Sequence, residues 1–111
     1  MFTFEPANYI ENTPKDSEFF VIFEQNILTF SNENFIRPIS QDELNWSYVE
    51  EKERHFLGYL NNKPCFVLLA EKNQCELEHS VFIDMRSALG RMPDQLFLSL
   101  IHISEPTRPG H

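Results

Sequence analysis

Apolar and polar residues fall in blocks along this chain, and the most pronounced pair of apolar blocks lies at its middle. His55-Phe56-Leu57-Gly58-Tyr59-Leu60 and Pro64-Cys65-Phe66-Val67-Leu68-Leu69-Ala70 flank the short polar link Asn61-Asn62-Lys63. Asparagine tolerates the positive φ values that tight two-residue turns require, so the pattern predicts an antiparallel hairpin. Pro64 stands where its second strand begins. From Cys65 to Ala70 every residue is apolar. The run is rich in β-formers and too short for an ordinary helix, which predicts a strand covered on both faces, at the middle of a sheet.

The same reading places a first hairpin upstream: Phe19-Phe20-Val21-Ile22-Phe23, the polar turn Glu24-Gln25-Asn26, then Ile27-Leu28-Thr29-Phe30. Before it, residues 1–18 form an extended lead-in with Pro6 and Pro14, able to tuck Phe4 or Tyr9 against the sheet. Residues 31–54 are a polar middle. Ser40-Gln41-Asp42-Glu43 has the spacing of a capping box, which predicts a short helical piece with Leu44 and Tyr48 on one face. Trp46, the single tryptophan, reads as a lid on the sheet edge in preference to a ligand-stacking platform. Glu50-Glu51-Lys52-Glu53-Arg54 reads as a solvated face, with Glu50 and Arg54 spaced for i,i+4 pairing. After the polar connection Glu71 to Ser80, Ser80-Val81-Phe82-Ile83-Asp84 predicts another strand. Asp84 is placed to cap a brief helix over Met85 to Leu89, Gly90 to end it in a left-handed conformation, and Pro93 to open a further helix. The fold expected is α+β: a largely antiparallel sheet of four to six strands with one or two short helices near the C-terminus.

Composition narrows the possible functions. The 111 residues suffice for one core and one domain, with 41% apolar residues and eleven Phe. The formal charge is −8, from nine Lys and Arg against seventeen acids, which argues against independent nucleic-acid binding. No apolar run approaches the roughly 18 residues of a membrane span. The start, Met1-Phe2-Thr3-Phe4-Glu5-Pro6, carries no basic and apolar export signal, so the expected location is cytoplasmic. The two cysteines, Cys65 and Cys75, form no C-x-x-C pair and read as reduced, structural thiols.

Candidate chemistry is sparse. His55, His79, His102 and His111 are dispersed, and His79 beside Glu76 and Glu78 reads as a solvated loop before it reads as a cation site. Ser80, Ser87 and Ser99 lack the nucleophile elbow of a G-x-S-x-G motif, and three glycines make no phosphate loop. Glu50, Glu51, Glu53, Glu76 and Glu78 lie in polar connections, where solvation accounts for them. No catalytic, cofactor-binding or metal-binding residue is assigned.

Three segments together carry a family resemblance: Phe19 to Phe23, Phe56 to Phe66 with Gly58 and Pro64 six apart, and Met85-Arg86-Ser87-Ala88-Leu89-Gly90-Arg91-Met92-Pro93 preceded by Val81 to Asp84. Over residues 19–97 the chain resembles the N-terminal, Nudix-like domain of NADH pyrophosphatases. The resemblance implies a parent enzyme that hydrolyses the pyrophosphate of NAD(H), including NAD caps on RNA. In that family the chemistry lies further along, in a four-cysteine zinc ribbon and a glutamate-rich Nudix box that holds Mg²⁺ or Mn²⁺. Neither motif is present in this chain, so this stretch itself is expected to hold no cofactor and to be inactive alone.

Residues 98–111, Leu98-Ser99-Leu100-Ile101-His102-Ile103-Ser104-Glu105-Pro106-Thr107-Arg108 and beyond, look like the in-frame translation of a sequencing-library adapter. That likeness implies native sequence cut near Phe97, ahead of the zinc ribbon. The expected role is a non-catalytic scaffold that packs on the catalytic domain of its parent chain, with homodimerisation possible in the full-length protein. The rival reading is a stand-alone acidic interaction module that recruits a partner along a sheet edge.

Overall fold

The computed structural model describes residues 3–44, 51–71 and 77–104, leaving aside the side chains of Glu51 and Lys52. Trp46, Tyr48, Glu50, Cys75, Glu76, His111 and the rest of residues 105–111 lie outside the described residues.

Among the described residues seven strands form one mixed sheet: β1 (Phe4–Pro6), β2 (Glu18–Phe23), β3 (Asn26–Phe30), β4 (Ile39–Ser40), β5 (Glu51–Leu60), β6 (Lys63–Ala70) and β7 (Ser80–Asp84). A 3₁₀ turn, Met85–Ala88, and a helix, α1 (Asp94–Ser104), follow. The α+β class is therefore as the sequence implies. Six strands run in the order β1-β5-β6-β2-β3-β7, and the two-residue β4 pairs with β2 off that path.

Both hairpins form where the blocks predict. Asn61 and Asn62 take φ values of +51° and +68°, and Leu60 faces Lys63 across the turn. These left-handed conformations are those a two-residue turn between twisted strands demands, and asparagine reaches them at little cost. The hairpins meet in a parallel pairing, β2 against β6, with Phe19 opposite Phe66 and Val21 opposite Leu68. β5 begins at Glu51, so Glu51 to Arg54 belong to a strand and not to a helical face. Glu53 and Arg54 are exposed there, so the strand tolerates polar side chains at these positions.

The alternation of β6 sends its residues to two cores. Cys65 and Val67 join Phe20, Ile22, Ile27, Leu96 and Leu100 beneath α1. Phe66, Leu68 and Ala70 join Phe19, Val21, Leu28 and Leu44 on the opposite face. Coverage on both faces is why the run reads as uninterruptedly apolar. On the second face Phe66 sits between its partners on both sides, 5.2 Å from Phe56 and 5.6 Å from Phe19 between ring centroids. Cross-strand aromatic contacts of this kind add to the burial of each ring.

The lead-in supplies β1, which pairs antiparallel with β5 and places Pro6 opposite Gly58. Phe4 packs against the helix-side core, whereas Tyr9 remains 77% exposed. One extra residue bulges β5 between Phe56 and Gly58. Gly58 has φ +142°, a conformation open to residues without a side chain.

Downstream, Asp84 Oδ1 accepts a hydrogen bond from the Arg86 backbone N–H at 3.1 Å, capping the 3₁₀ turn, and Gly90 follows at φ +82°. The Pro93 carbonyl accepts from the Phe97 N–H at 3.0 Å, so Pro93 stands at the start of α1. The helix buries Leu96, Phe97 and Leu100, with Leu98 facing out. This spacing gives one apolar stripe. Among the described residues no helix is long and apolar enough to cross a membrane.

Candidate functional site

Polar side chains gather in three places. The first is the segment between β3 and the residues after β4. Ser40 N–H donates to Glu43 Oε1 at 3.1 Å, and the Glu43 N–H donates to Ser40 Oγ at 3.3 Å. The capping box read from the sequence is therefore made in both directions. Within the described residues it closes a turn over residues 41–44 and no helix. Arg37 lies 4.2 Å above the Phe30 ring and bridges Glu33 at 3.1 Å and Glu43 at 3.3 Å. Burial pushes the Glu43 carboxyl up, but the Ser40 N–H and the Arg37 guanidinium outweigh it and hold the group below its ordinary value.

The second place is the contact between this segment and the turn before α1. Arg91 Nε donates to the Asn34 carbonyl at 2.7 Å and Arg91 Nη2 to the Glu33 carbonyl at 3.2 Å, while the Ile36 N–H donates to the Arg91 carbonyl at 2.8 Å. A single arginine thus ties a loop that carries few backbone bonds of its own. Both arginine arrangements hold the backbone and show no group poised toward a reacting atom. Sequence reasoning missed them, because a loop carbonyl leaves no signature in residue type.

The third is a groove of about 950 Å³ on the helix-covered face, where α1 reaches its last turn before the strands end. Its polar lining is Glu24, Glu53, His55, Glu71, His102 and Ser104. Two of the four scattered histidines, His55 and His102, therefore meet at one groove. His55 and Glu53 are two apart on β5, hence on the same face of the strand, and their side chains hydrogen-bond to each other. His79 is elsewhere, at φ +65° in the connection to β7, with its carbonyl accepting from the Ser31 N–H.

The remaining candidates are occupied structurally. Ser80 Oγ donates to the Leu77 carbonyl at 2.6 Å and Ser99 Oγ to the Gln95 carbonyl at 3.1 Å. Ser87 is exposed. Cys65 is fully buried, and burial, helped by Glu18, pushes its thiol far up, away from nucleophilic thiolate. Among the described residues no group of three or more His, Cys, Asp and Glu is arranged to hold a metal ion. Two cysteines in the whole chain cannot supply a four-cysteine zinc ribbon. What the groove offers chemically is carboxylates, two imidazoles and a hydroxyl beside an apolar floor.

Comparison with protein families gives a match over residues 17–102 to a model described as "NADH pyrophosphatase-like rudimentary NUDIX domain". Comparison with curated proteins returned no match, and neither did comparison with solved structures.

Proposed function

The chain belongs to the family of NADH pyrophosphatase-like rudimentary NUDIX domains, and on that premise we propose that it is the non-catalytic, N-terminal scaffold of an NADH pyrophosphatase. Its partner is then the catalytic domain of the parent chain, in the cytoplasm, with the zinc ribbon and the Mg²⁺ or Mn²⁺ site belonging to that later part. The observation that carries this reading is the use made of the residues shared with the family. Gly58 admits β1, and Arg91 fastens the loop over the helix-side core. These positions serve backbone geometry and packing. Pyrophosphate cleavage draws its rate from carboxylate-held metal ions around the scissile phosphate, and that demand falls to other residues of the parent.

Two experiments test the proposal. Purified chain incubated with NADH and millimolar Mg²⁺ or Mn²⁺ should release no nicotinamide mononucleotide above a buffer blank. Turnover that survives repurification and disappears in Glu53→Gln would overturn the non-catalytic role. Sequencing the gene beyond the codon for Phe97 in intact genomic DNA should reveal paired C-x-x-C motifs and a glutamate-rich Nudix box. A prompt stop codon would favour the stand-alone acidic module.

A further inference from the structure

Strand β1 pairs with one other strand, β5, among the described residues, and around that pairing the fit is close. The Asn61 N–H donates to the Thr3 carbonyl at 2.8 Å, the Thr3 N–H to Asn61 Oδ1 at 2.8 Å, and the Ala7 N–H to the Leu57 carbonyl at 3.2 Å. Bonds at Thr3 and Ala7 make Pro6 and Gly58 a non-hydrogen-bonded pair of the antiparallel ladder, so the donor that proline lacks is not called for. Gly58, bare of a side chain, lets this backbone pass. Phe4 packs against the helix-side core and Ile10 against the opposite one, so residues 3–10 form an arm that reaches both faces from the β5 edge. Yet no residue from Thr3 to Asp16 is buried, and burial begins at Ser17.

We infer that the β5 edge from Leu57 to Asn61 is an acceptor site for this arm as a separable segment, and that residues 3–10 of a second copy fill it in a strand-exchanged dimer. The site takes an extended backbone passing Gly58, with an apolar side chain at the position of Phe4. A second copy supplies both by identity. Release costs little, since the arm carries no buried residue and the other strands keep their pairing. Terminal segments of this kind open locally, at a free energy well below that of global unfolding. Exchange between two copies breaks and remakes the same contacts, and only residues 11–16, which lead from the arm toward β2, take a new course. The balance is therefore set by the concentration of the second copy against the effective concentration of the tethered arm, about millimolar for a short flexible connection. The inference is independent of the scaffold role, because both the arm and its acceptor lie within residues 3–61.

The full chain tests it in three ways. Sedimentation should show monomer at about 10 μM and a dimer share that rises toward one half at about millimolar chain. Tyr9 is exposed and two residues beyond Ala7, so it can carry a probe beside the site. In a mixture at the upper concentration, a copy with Cys75→Ser and a nitroxide on Tyr9→Cys should broaden the Gly58, Leu60 and Asn61 amide signals of an isotopically labelled copy that carries Cys75→Ser alone. The broadening should fade on dilution. In the unsubstituted chain, hydrogen exchange at the Ala7 amide should run about a hundredfold faster than at Leu68. Low urea should accelerate Leu68 steeply and Ala7 hardly at all, because opening the arm exposes little surface. The proposal is overturned by a chain that stays monomeric at millimolar concentration, by a dimer whose broadening centres elsewhere, or by Ala7 and Leu68 exchanging together. The exchange measurement uses no substitution, so a variant that fails to fold still leaves the proposal open to refutation.

Discussion

A β-carbon placed on Gly58 would lie 2.1 Å from the carbonyl oxygen of Glu5, with the Pro6 Cα and Ala7 nitrogen each 2.9 Å away. All three atoms belong to backbone, so no side chain can swing aside to make room. The glycine of the family pattern is thus required by the strand that crosses it. Gly58→Ala should destabilise the domain by at least about 2 kcal/mol, from strained φ and lost β1 pairing together, measured by urea unfolding. Deleting residues 1–8 should weaken the parent, yet reduce the further penalty of Gly58→Ala, because the clash then disappears and only the backbone strain remains. An unchanged penalty in the shortened chain would show that β1 is not its source.

Phe66 is 3% exposed and touches rings on both neighbouring strands. Phe66→Ala should cost about 3–5 kcal/mol in chemical denaturation, as large aromatic truncations in cores do. A loss under about 1 kcal/mol would mean that the aromatic row is not part of the stable core.

Thr29 is 2% exposed and its hydroxyl has no hydrogen-bond partner among the described residues. A buried hydroxyl left unpaired costs free energy that a methyl group of similar shape does not. Thr29→Val should therefore leave the denaturation midpoint unchanged or raise it by up to about 1 kcal/mol of stability, whereas Thr29→Ala should lower it by opening space. A clear loss in the Val variant would reveal a partner for the hydroxyl.

Glu43 gives a dependence on pH whose direction is fixed by the sign of its shift. Its carboxyl is held below its ordinary value of 4.5 in the folded chain, so the folded state favours the charged form. The associated stability is present above the unfolded value and is lost as pH falls through the lower, folded one. The group is 43% exposed, so the contribution is screened and should stay below about 1 kcal/mol. Glu43→Gln retains the capping geometry without the charge. It should be slightly less stable than the parent near neutral pH and equal to it in strong acid. Curves that run parallel across the acid range would remove Glu43 as the source.

The two hairpins were legible because each rests on neighbouring residues: apolar runs, and a turn whose residues tolerate positive φ. Asp84, Gly90 and Pro93 were legible for the same reason, since caps and stops are local. The N-terminal half of β5 was not. Glu51-Lys52-Glu53-Arg54 alternates charge with charge, so no apolar side marks the strand, and its pairing with Leu68 and Leu69 of β6 decides its form. The groove was equally hidden, because His55 and His102 are brought together by the packing of α1 on the sheet and by nothing in their own surroundings. Glu43 stands between these cases: its spacing from Ser40 announced the capping box, but not the Arg37 that holds its charge.

The parallel pairing of β2 with β6 also governs how the domain comes together. Each hairpin is local and can close within microseconds, but an isolated two-stranded hairpin is marginal in water. Joining them sets Glu18 beside Cys65 and requires the intervening chain to close as a loop before any contact repays its lost freedom. That late, long-range closure should limit the folding rate, as it does where contacts are distant in sequence. Once closed, the seam completes both cores at a stroke, so neither half of the sheet has a stable existence apart from the other, and the domain should unfold as one cooperative unit.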